Sequence, residues 1–146
     1  MIDIENLVFD TVYNALALLH PEASITAGYD EENAIFPAVV VRQTNSQPYR
    51  ESATDDSSEN HTRVTFEVEV YSDKESTGRS QCKEILMDAD DIMQTMKFRR
   101  IHMNRPLNVD RTLWRQYARY EVIVGRPYVV DEGQVTEKTV YPMYRR

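Results

Sequence analysis

Residues Thr62–Met103 read TRVTFEVEVYSDKESTGRSQCKEILMDADDIMQTMKFRRIHM, and their hydrophobic rhythm changes twice with no glycine-rich or proline-rich linker between the changes. Val64, Phe66, Val68 and Val70 alternate with Arg63, Thr65, Glu67, Glu69 and Tyr71, the period of two that marks a half-buried strand with one polar face. After SDKES, the residues Cys82, Ile85, Leu86, Ala89, Ile92, Met93 and Met96 recur at three- and four-residue steps. This spacing predicts an amphipathic helix from about Thr77 to Met96, with Ser76 or Thr77 as its N-cap and Lys83, Glu84, Asp88, Asp91, Gln94 and Lys97 turned outward. A cap contributes roughly 1 kcal/mol, whereas each buried apolar side chain contributes about 1.5 kcal/mol or more, so packing on a sheet decides this helix.

Alternation resumes beyond the helix. FRRIHMNRPLNVDR and LWRQYARYEVIVG read as a hairpin around NVDRT. On its second strand Trp114, Gln116, Ala118, Tyr120, Val122 and Val124 share one face, and Arg115, Tyr117, Arg119, Glu121 and Ile123 the other. Trp114 and Tyr120 suit either the core or an interface. After Gly125 the core pattern lapses, and residues 126–146 read as an extended C-terminal arm with short pieces around an Asp-Glu-Gly turn.

Toward the N-terminus, Ile4, Leu7, Val8, Val12, Ala15, Leu16 and Leu19 mark a first helical face, which Asp3 can cap and Pro21 ends. A short strand is expected around Ile25 and another in IFPAVVVRQT, with Pro37 at its start or on an edge. Residues 45–61, NSQPYRESATDDSSENH, are polar and turn-rich, and concentrate Glu51, Asp55, Asp56 and Glu59 in what is expected to be a mobile acidic loop. The element order implies an α+β fold for residues 1–125: a two-layer sandwich of two helices on a mostly antiparallel sheet of four to five strands.

A chain of 146 residues supports one such core. Its formal charge of −7 argues against tight nucleic-acid binding. One cysteine, Cys82, excludes an internal disulfide and suits a reducing cytosol, and its place on the apolar helix face predicts a buried, inert thiol. The acidic N-terminus lacks the basic region of a signal peptide, and no apolar run approaches the roughly 18 residues of a membrane span.

Chemistry-bearing patterns are missing. His20, His61 and His102 have no metal-ligand spacing and are expected as surface or strand residues. Asp88, Asp90 and Asp91 cannot converge on one ion from a single helix and are expected on its solvated face. Four scattered glycines form no phosphate cradle, and no GxSxG is present. No enzyme, cofactor or metal is expected. What stands out is surface chemistry: nine tyrosines, one tryptophan, and arginines interleaved with aromatics in WRQYARYEVIVGRPY and YPMYRR. Tyrosine, tryptophan and arginine are enriched at protein interfaces. Arg105, Arg115, Tyr117, Arg119 and Tyr128 are therefore candidates for a subunit interface. Tyr49, Arg50, Glu51, Asp55, Asp56 and Glu59 are candidates for a partner or channel loop.

The order of FPAVVVRQT, RVTFEVEVYS, the helix from about Thr77 to Met96 and the closing RYEVIVG resembles the tail terminator and related neck proteins of long-tailed bacteriophages over roughly residues 3–125. The resemblance implies a virion subunit, assembled in the host cytoplasm, that forms a ring, commonly a hexamer, on the head-proximal end of the tail tube. Such a ring stops tube polymerisation and offers a surface for joining to the head. Its implied partners are copies of itself, the tail tube protein and the head–tail connector, with DNA passing untouched and no membrane involved. A ring closed head to tail needs two different patches per chain, and an acidic loop from Glu51 to Glu59 would suit a channel wall or a tube contact. Three alternatives stay open: a head-completion neck protein of the same assembly, a small nucleic-acid-binding module using the arginine-rich hairpin, and a small enzyme using Asp88, Asp91 or His102 at a subunit boundary.

Overall fold

Two long strands carry the architecture, described by a computed structural model for residues 3–28, 34–48, 61–110 and 112–125, and for the backbone of 128–131 and 134–137. Strand β3, His61–Ser72, pairs antiparallel along its whole length with β6, Leu113–Gly125, and on its other side with β2, Ala38–Pro48. The short β1, Ser24–Thr26, pairs parallel to β2. At the opposite edge β4, Arg99–Met103, and β5, Leu107–Asp110, lie end to end along β6. The sheet thus has six strands and is mixed, where four to five mostly antiparallel strands were expected. The extra count arises because FRRIHMNRPLNVDR forms two strands broken at Asn104–Pro106, and the sheet is mixed because β1 runs parallel to β2. Separately, β7 (Tyr128–Asp131) pairs antiparallel with β8 (Gln134–Glu137). Strand β2 continues through Asn45–Pro48, so the polar segment read from residue 45 belongs to the sheet up to Pro48.

Both helices cover one face. Helix α1, Glu5–Leu19, buries Val8, Val12 and Leu16, and α2, Gly78–Thr95, buries Cys82, Ile85, Leu86, Ala89 and Met93. These residues form a single cluster with Val39, Val41, Val64, Phe66, Val68, Val70, Ala118, Tyr120, Val122 and Val124, the alternate residues of the three long strands. Tyr120 is fully buried and Trp114 packs on the edge of the cluster, which settles both as core. The α1 stripe is narrower than its periodicity implied, with Leu19 57% exposed, because α2 covers only one side of α1.

Two polar groups expected in water lie inside. His20, just past α1, is 7% exposed, and its Nε2 sits 2.6 Å from Asp88 Oδ2 on α2, tying the helices together. Asp90 is 5% exposed, against the expectation of a solvated aspartate cluster. It accepts hydrogen bonds from the Tyr120 hydroxyl and from Gln94 Nε2, both at 2.7 Å, and Arg100 Nη1 lies 3.3 Å away. A helical wheel places Asp90 beside the apolar stripe, and Tyr120 of β6 and Arg100 of β4, with Gln94 of its own helix, are the partners that make its burial tolerable.

Helix α2 begins at the expected Thr77, although the Thr77 side chain makes no capping bond. Its end is a Schellman turn: Phe98 N–H donates to Met93 O at 3.1 Å, and Lys97 N–H to Gln94 O at 2.9 Å. Phe98 then packs edge-on against Phe66. Lys97 occupies the left-handed position, φ 71°, usually held by glycine. Lys97→Gly is expected to stabilise the fold by about 0.5–1 kcal/mol, read as a raised urea midpoint at unchanged slope. An unchanged or lowered midpoint would refute it.

Candidate functional site

The sheet face turned away from the helices carries the side chains of odd-numbered β3 and β6 residues and of Ala38, Val40 and Arg42 from β2. Register makes rows across it. Arg42, Glu67 and Arg119 stand directly opposite one another on β2, β3 and β6; the next rows are Val40, Glu69, Tyr117 and Ala38, Tyr71, Arg115. Cross-strand neighbours on one face lie close enough for ion pairs and ring contacts, so these rows dictate the chemistry.

Glu67 and Glu69 are each 4% exposed although neither described helix covers them. Arginines cover them instead. Arg119 Nε donates to Glu67 Oε2 at 2.9 Å and Arg42 Nη2 to Glu67 Oε1 at 3.1 Å. Glu69 accepts from Arg42 Nη2 at 2.8 Å, from Arg115 Nε at 2.9 Å and from the Tyr71 hydroxyl at 2.7 Å. The guanidinium groups of Arg115 and Arg119 lie 4.5 and 5.2 Å from the Tyr117 ring centre, and His102 from β4 packs against the same ring. Three guanidinium groups and two carboxylates are thereby locked around one tyrosine. Beside them, Ala38, Val40 and Tyr71 form a small apolar cluster with Phe36 and Leu113.

Burial, the largest influence on Glu67, raises its pKa, but hydrogen bonding to Arg119 and Arg42 outweighs it, and the net direction is downward. Burial and then the bond to Glu69 push the Tyr71 hydroxyl up to about 12. Arg115 and Arg119 are raised: burial works against Arg115 but Glu69 and Tyr71 overcome it, and the Glu67 bond dominates for Arg119. Glu67, Arg115 and Arg119 are therefore charged at neutral pH, and Tyr71 is neutral. Both carboxylates of the cluster are engaged by arginines, and its geometry suits recognition by shape, aromatic contact and charge.

Of the residues expected at a subunit interface, Arg115, Tyr117 and Arg119 meet on this face. Arg105 does not; it lies in the connection between β4 and β5, beside the start of α2. Tyr128 belongs to β7, and its side chain lies outside the described residues, as do Tyr49, Arg50, Glu51, Asp55, Asp56 and Glu59. Sequence reasoning missed Arg42, Glu67, Glu69 and Tyr71. A signal existed in the two acids at consecutive outward positions of β3, Glu67 and Glu69, and the bases flanking Tyr117 on the outward side of β6, but only register pairs them.

Elsewhere, the Cys82 thiol is buried against Val70 O and Trp114 O, and burial pushes it up to about 12. Among the described residues no three His, Cys, Asp or Glu side chains gather as a metal site, and no helix is long and apolar enough to cross a membrane. No protein-family model matches the chain, and no curated protein is similar to it in sequence.

Proposed function

We propose that the chain is a non-enzymatic structural subunit that assembles into a ring, a tail terminator capping the head-proximal end of a phage tail tube. The supporting observation is the sheet face turned away from the helices, on which Arg42, Arg115, Arg119, Tyr71 and Tyr117 are held by Glu67 and Glu69. A preorganised aromatic and arginine surface loses little side-chain entropy on docking, which is what a permanent protein contact requires. The same pairing counts against the nucleic-acid alternative, because each of these guanidinium groups is already engaged by a carboxylate rather than free for phosphate.

The test is sedimentation of the purified protein over a wide concentration range, followed by negative-stain imaging, alone and with polymerising tube protein. Closed rings of one subunit number that halt tube growth are the expected result. A protein that stays monomeric at every concentration and leaves tube length unchanged overturns the proposal.

A further inference from the structure

The N-terminal end of α2, the β4–β5 connection and Gln116 of β6 enclose a pocket of about 490 Å³ lined by Arg79, Ser80, Lys83, Asn104, Arg105, Pro106 and Gln116. It contains three cations and no acid. Arg79, Lys83 and Arg105 make no ion pair with a described residue, in a chain whose formal charge is −7. Helix N-termini favour acidic side chains, yet the first turn of α2 has none and the Thr77 side chain does not cap it. The positive end of the helix therefore adds to the field of the three cations.

Neutral groups in the pocket point the same way. Gln116 is 4% exposed, and its Oε1 has no hydrogen-bond partner; Asn104 Nδ2 is likewise buried and unpaired. Their amide orientations are set by other bonds, since Gln116 Nε2 donates to Asn104 O at 2.9 Å and Asn104 Oδ1 accepts the Tyr117 N–H at 2.8 Å. One unmet acceptor and one unmet donor therefore stand beside three unpaired cations. An anion with no O–H, such as sulfate, satisfies the cations and the donor but not the acceptor. A peptide carrying carboxylates supplies all of it, through its side chains and through its own N–H and C=O groups.

We propose that this pocket receives the acidic segment Glu51–Glu59 of a second copy of the chain. That segment, ESATDDSSE, holds four acids and no base. Its own chain can bring only the tip of the segment toward its own pocket, not the whole run of four acids. The segment joins Pro48 to His61 at one end of the β2–β3 pair, whereas Gln116 lies beside Val70, eight residues along β3 from Thr62, the partner of Pro48. That is about 26 Å at 3.3 Å per residue. Twelve residues anchored at both ends extend at most about 23 Å before turning back. The residues that flank the segment, Pro48 and His61, thus lie at the opposite end of the sheet from the pocket, and pairing segment with pocket joins one subunit head to tail with the next, the contact from which rings close. This rests on the ring proposal and assigns the acidic segment to the neighbouring subunit rather than to the channel wall.

Two measurements test it separately. A synthetic peptide of residues 49–60 is titrated by calorimetry onto the full chain, held dilute and at low salt, beside a peptide with its acids changed to amides and beside inorganic phosphate. The acidic peptide is expected to bind, and to weaken at least about tenfold in Arg79→Glu/Arg105→Glu and in high salt. Both side chains are exposed, so the variant is expected to retain the wild-type circular dichroism. No binding, equal binding by the variant, or phosphate binding as tightly as the peptide each overturns the pocket assignment. Assembly is then compared for wild type, for Arg79→Glu/Arg105→Glu, and for Glu51→Lys/Asp55→Lys/Asp56→Lys/Glu59→Lys. Each variant alone is expected to lose self-association and an equimolar mixture to recover it. Variants that assemble like wild type overturn the pocket contact while leaving the ring standing; peptide binding by a wild type that never assembles supports the pocket and overturns the ring.

Discussion

Asp90→Ala is expected to lower stability by about 3–4 kcal/mol, seen as a lower urea midpoint with little change in slope. The carboxylate is 5% exposed and is the acceptor for the Tyr120 hydroxyl, in a side chain that is fully buried. Without it, the hydroxyl is left in the core with no partner, and an orphaned buried group costs about 1–3 kcal/mol. Gln94 loses its bond as well, while Arg100, with 43% of its side chain exposed, relaxes into water and adds less. Tyr120→Phe removes only one of the three contacts and is expected to cost about 1–2 kcal/mol. The double variant should cost less than the sum, because the hydroxyl orphaned by the first change is absent after the second. Strict additivity, or a loss below about 1 kcal/mol for Asp90→Ala, would show that the carboxylate is hydrated and not the anchor between α2 and β6.

Glu69→Ala is expected to cost about 3 kcal/mol and to loosen the sheet face turned away from the helices. Glu69 accepts from Arg42, Arg115 and Tyr71, so its removal leaves two guanidinium groups and a half-sealed hydroxyl converging on an empty position. Arg42, 47% exposed along its side chain, can turn to water; Arg115, at 26%, has less room. Glu67→Gln tests the charge alone. The folded-state pKa of Glu67 is depressed from the ordinary 4.5, so its contribution is fully present above 4.5 and is lost as pH falls below that value through the folded pKa. Wild type should therefore lose stability on acidification in that window more steeply than Glu67→Gln. Parallel acid profiles for the two proteins would remove Glu67 from the account.

The two-layer α+β architecture was legible because each element advertises its own period. Val64, Phe66, Val68 and Val70 alternate, and Cys82, Ile85, Leu86, Ala89 and Met93 recur at helical steps, and these same residues form the core. Edges were legible in outline: the short strand expected around Ile25 is β1, but FRRIHMNRPLNVDR reads as one strand where it forms β4 and β5, because both are short and largely exposed and no change of apolar pattern marks the break. For the candidate site, the outward positions Arg115, Tyr117 and Arg119 could be named from alternation along β6 alone. Their carboxylate partners could not, and Glu67 and Glu69 look like ordinary solvent-facing acids in a linear reading.

By itself, then, the sequence determined which stretches are strands or helices and which of their sides faces the core, because periodicity is a local property and burial of apolar area dominates the energy. Only the tertiary structure decided which charged groups are buried and which are left unpaired. The Arg42–Glu67 and Arg119–Glu67 bonds span 25 and 52 residues, and His20 meets Asp88 across 68. A carboxylate can leave water only where a cation or hydroxyl is held against it, and strand register and helix packing, not spacing along the chain, bring that partner there.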